Sequence, residues 1–271
     1  RECTMDEDHD YDPDDGRPIY RLPEQIQSFE LSEALHGLAL LGDDPYLRMQ
    51  VTNLTVVDQA IMGLEQRVLH RLIDEERTPS DDAVFLLALS QMWIFAVYEL
   101  LRTWRQRAKD IVKWAENGGL ASKIEAMQSD LGYRRPAREF RVDQLQNALD
   151  DPSVVEAIRT SLRKSHILFS RLEWLRIGLA KHEIAGRKKS VAFAPGYGRI
   201  NRSCGSLEFE LANEKYIIGN ISRRDVADEI RVLADGSPPQ SDEELTSFDA
   251  FMKGTDYEPP NAADWAEGKD F

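Results

Sequence analysis

Between Ser28 and Lys181 apolar residues recur at helical spacing almost without interruption, which confines the chain to a fold of packed helices. Leu47, Leu54, Ile61 and Val68 fall seven residues apart, and Val51, Val57, Leu64 and Leu72 fill the adjoining face. That spacing predicts one amphipathic helix over 45–76. Thr78-Pro79-Ser80 interrupts it, because proline has no N–H to give and clashes with the preceding turn. Ser80, with Asp81 and Asp82 in the first turn, opens a second helix that ends at Asn117-Gly118-Gly119. Shorter helices are expected over 120–131 and 137–149. Asp151-Pro152-Ser153 followed by Glu156 reads as a capping box for a last long helix over 153–185.

The second of these helices carries Ala83–Leu101, a run nearly long enough to span a bilayer. It contains Ser90, Gln91 and Glu99 and continues directly into Arg102, Arg105 and Arg107. A central bundle helix, apolar all round because other helices surround it, accounts for such a run without a membrane. Trp93, Trp104, Trp114 and Trp174 are assigned to the core. From Ser190 the texture changes. Residues 190–206 read as a loop rich in Gly, Ser and aromatics. Ser206–Leu211 and Tyr216–Ile221 then read as a β-hairpin around Asn213-Glu214-Lys215. Ser222 and Asp225 form a second capping box, before a helix over 223–234. The expected fold class is therefore mainly α: a helical bundle with an appended C-terminal β-hairpin plus helix. Its parts are an acidic, flexible arm at 1–28, a bundle at 29–189, the loop, hairpin and helix at 190–235, and an acidic tail at 236–271.

Charge is distributed by region. The net charge is −14. Residues 1–15 hold eight acids and one arginine, and residues 235–271 hold ten acids and two lysines. The intervening 16–234 is balanced, with 31 bases and 30 acids. Within it, 159–202 carries eleven Lys/Arg against Glu173 and Glu183 alone. A local basic field of that kind suits a polyanionic partner whatever the overall pI. The two cysteines, Cys3 and Cys204, cannot build a disulfide framework or a four-cysteine zinc site. Together with an acidic N-terminus lacking the pattern of a secretory signal, they point to a cytoplasmic setting.

Several chemistries are excluded by spacing. There is no Walker-type phosphate loop, and Gly196-Tyr197-Gly198 lacks the third glycine of the dinucleotide fingerprint. No Gly-x-Ser-x-Gly elbow is present. His182-Glu183 opens like a zincin motif but has Gly186 in place of the second histidine. Asp10, Asp12 and Asp14 alternate like a calcium loop, yet Arg21 stands at the position that needs a bidentate glutamate. No metal and no cofactor is expected.

What remains is Arg176 and His182, separated by five residues at the end of the last long helix and inside the basic stretch. A neutral imidazole can take a proton from a ribose 2′-hydroxyl. A guanidinium can hold the non-bridging oxygens as charge builds on phosphorus. Lys181, Arg187, Lys188 and Lys189 flank the pair and suit backbone phosphates. Tyr197 is a candidate for stacking a base.

Arg176-x5-His182 on a late helix of an all-α bundle resembles the R-x(4–6)-H signature of the HEPN superfamily. Tyr98-Glu99-Leu100-Leu101-Arg102 on the apolar helix resembles that family's buried helix, which places Glu99 and Arg102 as supporting residues. The similarity covers about residues 45–185. It implies metal-independent endoribonuclease activity, with Arg176 and His182 catalytic, in a homodimer that pairs two motifs across a cleft. A role as a toxin or antiviral-defence effector follows from the same resemblance, with RNA as substrate, an inhibitory or activating protein partner and no membrane. Ile177 stands where active members commonly carry a polar residue. That departure favours the alternative, a catalytically inactive module that binds nucleotide, RNA or a partner protein.

Overall fold

The computed structural model of the chain describes residues 20–129, 135–180, 198–212 and 217–253. The chain is mainly α-helical, with a small antiparallel sheet and a further helix after the bundle. A short α1 (Glu30–His36) leads to two long antiparallel helices, α2 (Pro45–Asp74) and α3 (Ser80–Glu116). At 30 and 37 residues these are about 45 and 55 Å long. Helices α4 (Leu120–Gln128), α5 (Pro136–Asp150), α6 (Pro152–Lys164) and α7 (His166–Ala180) then pack around α3. The expected central helix is thus α3, which touches α2, α4, α5, α6 and α7.

Two tryptophans anchor this packing. Trp93 and Trp104 are almost completely buried. Each satisfies its indole N–H on a backbone carbonyl: Trp93 Nε1 donates to Leu54 at 3.0 Å and Trp104 Nε1 to Ala39 at 2.7 Å. Trp114 and Trp174 are only partly buried against the core. The start of α2 is fixed by Asp44, whose carboxylate accepts from the Tyr46 and Leu47 amides and from Arg107 of α3 at 2.6 Å.

Three local expectations change. The helix expected over 153–185 is broken at Ser165 into α6 and α7. Ser165 Oγ bonds the Ser161 carbonyl at 2.9 Å, and the buried Arg105 guanidinium reaches in to the Leu162 carbonyl and to Ser165 Oγ. A side chain inserted into the helical ladder is a sufficient cause for the break. Asp151 caps α6 alone, through the Ser153 amide at 2.8 Å, while Glu156 turns away to Arg159. Val57, placed by periodicity on a core-facing side of α2, is exposed.

The sheet comprises β1 (Arg199–Ile200), β2 (Leu207–Ala212) and β3 (Ile217–Ser222), antiparallel and in that order. The expected hairpin is β2–β3, with Phe209 opposite Ile221. Strand β1 was not legible inside the loop-like 190–206. Between β1 and β2, Gly205 has φ +78° and passes so close to α2 that a Cβ there would lie 2.0 Å from the Glu65 carbonyl oxygen. Only glycine permits both that conformation and that approach. The capping box is formed as expected: Ser222 Oγ accepts from the Asp225 amide at 3.1 Å and Asp225 Oδ2 accepts from the Ser222 amide at 2.7 Å. It opens α8 (Arg223–Val232).

The ends of the described chain lie on the body. Tyr20 donates to Asp225 Oδ1 at 2.7 Å, and Arg21 pairs with Glu30. Beyond Gly236, α9 (Asp242–Lys253) packs on α7 and buries Met252. Its acids meet bases of the bundle: Asp242 pairs with Arg163 at 2.6 Å and Asp249 bonds His166 at 2.8 Å.

Helix α3 is long and apolar enough to cross a membrane, and 44% of its most apolar window is buried inside the protein. Val84, Phe85 and Met92 lie on its outer face and are exposed.

Candidate functional site

Arg176 lies near the end of α7, and its position follows from helical spacing. Phe169, Glu173 and Arg176 fall at i, i+4 and i+7, and so share the face that α7 turns toward α3. There they meet Tyr98. The Tyr98 and Phe169 rings stack with centroids 5.6 Å apart and planes 17° from parallel. Arg105 caps Phe169 at 4.6 Å, and Arg176 lies over Tyr98 at 5.0 Å from the ring centre. The Tyr98 hydroxyl donates to Glu173 Oε1 at 3.2 Å.

The result is a column of two guanidinium groups and two rings joining α3 to α7. Burial, then Glu173, push the Tyr98 hydroxyl pKa up, against the opposing pull of Arg176 and Arg102. The phenol therefore stays a neutral donor. Arg105 has no carboxylate bonded to it among the described residues, and burial lowers its pKa to about 10. Arg176 itself is half-buried and set against an aromatic face. The ring contact orients the guanidinium plane.

The other sequence-selected residues divide into two groups. Lys181, His182, Arg187, Lys188 and Lys189 lie outside the described residues, as does Tyr197. Glu99 and Arg102 are described, and form an ion pair at 2.7 Å one turn apart on α3. The pair is exposed, at 49% and 55%, where burial was expected. Glu99 and Arg102 each stand one residue, about 100° of helix rotation, beyond the inward-facing Tyr98 and Leu101, so the helix presents both outward. Such a pair is worth little to stability.

The densest polar cluster among the described residues is elsewhere, and sequence reading missed it. Arg223, fully buried at the start of α8, clasps Glu65 of α2 with Nε at 2.9 Å and Nη2 at 2.6 Å. Its third nitrogen, Nη1, bonds Asp58, which also takes Arg231 of α8. Arg231 and Arg224 converge on Asp228 at 2.6 and 2.9 Å. The Trp93 ring lies 5.3 Å from the Arg223 guanidinium. Burial opposes the Arg223 charge, but Glu65 and Asp58 outweigh it and hold the pKa above the ordinary arginine value. This network locks the sheet and α8 to α2, and chemically it is a structural lock because each charge is met inside the protein. A signal was present. Val51, Asp58 and Glu65 are seven apart, so the two acids occupy the buried stripe of α2.

Among the described residues no three histidine, cysteine or carboxylate side chains converge to hold a metal ion. Compared with models of protein families, with curated proteins and with solved structures, the chain matches none.

Proposed function

We propose that this chain is a HEPN-like, metal-independent endoribonuclease acting at the end of α7. The observation that supports it is the Arg176 guanidinium, braced on Tyr98 in the last turns of a helix whose sequence continues into the basic run 181–189. In this reading the RNA backbone is gathered by Lys181, Arg187, Lys188 and Lys189. His182, with a neutral imidazole, takes the 2′-hydroxyl proton, and the 2′-oxygen attacks phosphorus. The P–O5′ bond breaks, and Arg176 holds the non-bridging oxygens as their charge grows. The protonated imidazole returns its proton to the leaving 5′-oxygen. The products are a 2′,3′-cyclic phosphate and a 5′-hydroxyl. The protein works in the cytoplasm, as a homodimer pairing two motifs, under an inhibitory or activating protein partner.

A second reading rests on Ile177 and on the aromatic seat of Arg176: the motif is catalytically silent and binds nucleotide, RNA or a partner. Incubating the chain with varied single-stranded RNAs in chelator separates the two. Cleavage with cyclic-phosphate ends, lost in His182→Ala, supports the first. Retention of RNA without cleavage supports the second.

A further inference from the structure

Helix α9 is fixed to the junction of α6 and α7 by a clasp at its start. The guanidinium of Arg163, in the last turn of α6, uses all three nitrogens on the incoming chain. Its Nε and Nη2 donate to the Gln240 carbonyl at 3.1 and 3.0 Å, and Nη1 pairs with Asp242 at 2.6 Å. Two turns further along α9, Asp249 meets His166 Nε2 at 2.8 Å. The inner side of α9 carries Leu245, Phe248, Asp249 and Met252 at i, i+3, i+4 and i+7 spacing, and the helix packs on α7.

The docking is shallow. Of the 12 residues of α9 only Met252 is buried. The Asp242 side chain is 89% exposed and that of Asp249 41%, so water and salt weaken both ion pairs. Gln240 Oε1 is shielded from solvent beside the clasp and has no partner among the described residues, which works against the docked state. A free helix of about 12 residues is marginal in water, so α9 depends on its seat to stay folded. The chain turns out of α8 at Gly236, whose φ of +78° suits glycine, and Pro238-Pro239 hold the lead-in extended. Helix α9 is thus tethered, not continuous with α8. A helix held in this way is a two-state element whose docked state is narrowly favoured.

Undocking frees cations. Arg159, Arg163 and His166 fall at i, i+4 and i+7 across the α6–α7 junction. Arg159 is met by Glu116 and Glu156 of the bundle. Among the described residues, the carboxylates bonded to Arg163 and His166 both come from α9. Acids of α9 thus occupy groups suited to phosphate oxygens, on the helix that carries Arg176 at its other end. We propose that α9 is an acidic strap, an internal stand-in for a polynucleotide backbone, displaced when a single strand takes Arg163 and His166. This assignment rests on the RNA reading of α7 and adds to it a resting state in which the chain covers its own basic groups. Strap and backbone compete for the same nitrogens, so each weakens the other by the same factor.

The test is amide hydrogen exchange of the full chain in about 0.15 M salt, with and without a short single-stranded 2′-O-methyl oligonucleotide. That probe has no free 2′-hydroxyl and so is not cleaved by 2′-oxygen attack. The expected result is that the oligonucleotide speeds exchange in 242–253 at least fivefold and leaves α2 and α3 unchanged. Asp249→Asn speeds exchange in 242–253 without any oligonucleotide, and tightens oligonucleotide binding, read by fluorescence anisotropy, at least fivefold. Glu243→Gln removes the same charge from α9 without touching the clasp, and shifts the affinity less than twofold. Arg163→Gln also frees α9 but gains no affinity, because a base that the backbone takes is gone. Oligonucleotide binding that leaves exchange in 242–253 unchanged or slower, no response of that exchange to Asp249→Asn, or an equal gain of affinity in Glu243→Gln overturns the strap and leaves the RNA reading standing. Absence of binding by both the wild type and Asp249→Asn overturns the two together.

Discussion

Arg223 shows what a single residue can decide in this fold. Its charge is matched by two carboxylates on α2, and all three groups are buried. Removing the arginine leaves Glu65 with uncompensated charge in a low-dielectric interior and Asp58 with Arg231 alone, which costs on the order of 3–5 kcal/mol. Arg223→Met is therefore expected to lower the urea midpoint sharply, and a variant within about 1 kcal/mol of wild type would show that the pairing carries little of the stability. Cys204 offers a chemical readout nearby. Burial pushes its thiol pKa up to about 12. The nucleophile is the thiolate, and a free cysteine with a pKa of about 8.5 is roughly a quarter ionised at pH 8. In a Cys3→Ser background, alkylation of Cys204 by iodoacetamide at pH 8 is expected to run at least a hundredfold slower than that of a free thiol. The rate is then expected to keep rising above pH 10, where a free thiol has levelled off.

At the scale of elements, caps and breaks distribute the stability. Asp44 both caps α2 and pairs with Arg107 while almost fully buried. Asp44→Ala loses the cap and the ion pair, for roughly 2 kcal/mol, whereas Asp44→Asn keeps the cap and is expected to cost about half as much. Equal urea midpoints for the two variants would place the stabilisation in the ion pair alone. The same elements show what periodicity can reveal. Helices α2 and α3 were readable because apolar spacing, Thr78-Pro79-Ser80 and Asn117-Gly118-Gly119 all agree. The Ser222–Asp225 box was readable because both partners are local. The break at Ser165 was not, since its cause is Arg105, sixty positions away in the chain. Strand β1 is too short to show an alternating pattern, and its existence depends on pairing with β2. Asp58 and Glu65 were readable in principle but need the arginines of α8 to explain them. Arg176 was picked out by spacing, whereas its seat on Tyr98 is a tertiary contact that spacing does not encode.

At the scale of the whole molecule, the charge split takes on structure. The acidic segment after Gly236 returns as α9 and sets Asp242 and Asp249 against Arg163 and His166, at the junction of α6 and α7. The far end of α7 carries Arg176 and leads into the basic run, so the helix has one acid-covered end and one end committed by this account to polyanion chemistry. The direct measurement is the cleavage of end-labelled single-stranded RNA by the full chain in excess chelator, beside Arg176→Ala and His182→Ala. The account predicts 2′,3′-cyclic phosphate and 5′-hydroxyl ends from the wild type, with a loss of at least a hundredfold in each variant. Intact RNA with the wild-type protein, or cleavage unchanged by His182→Ala, would contradict it.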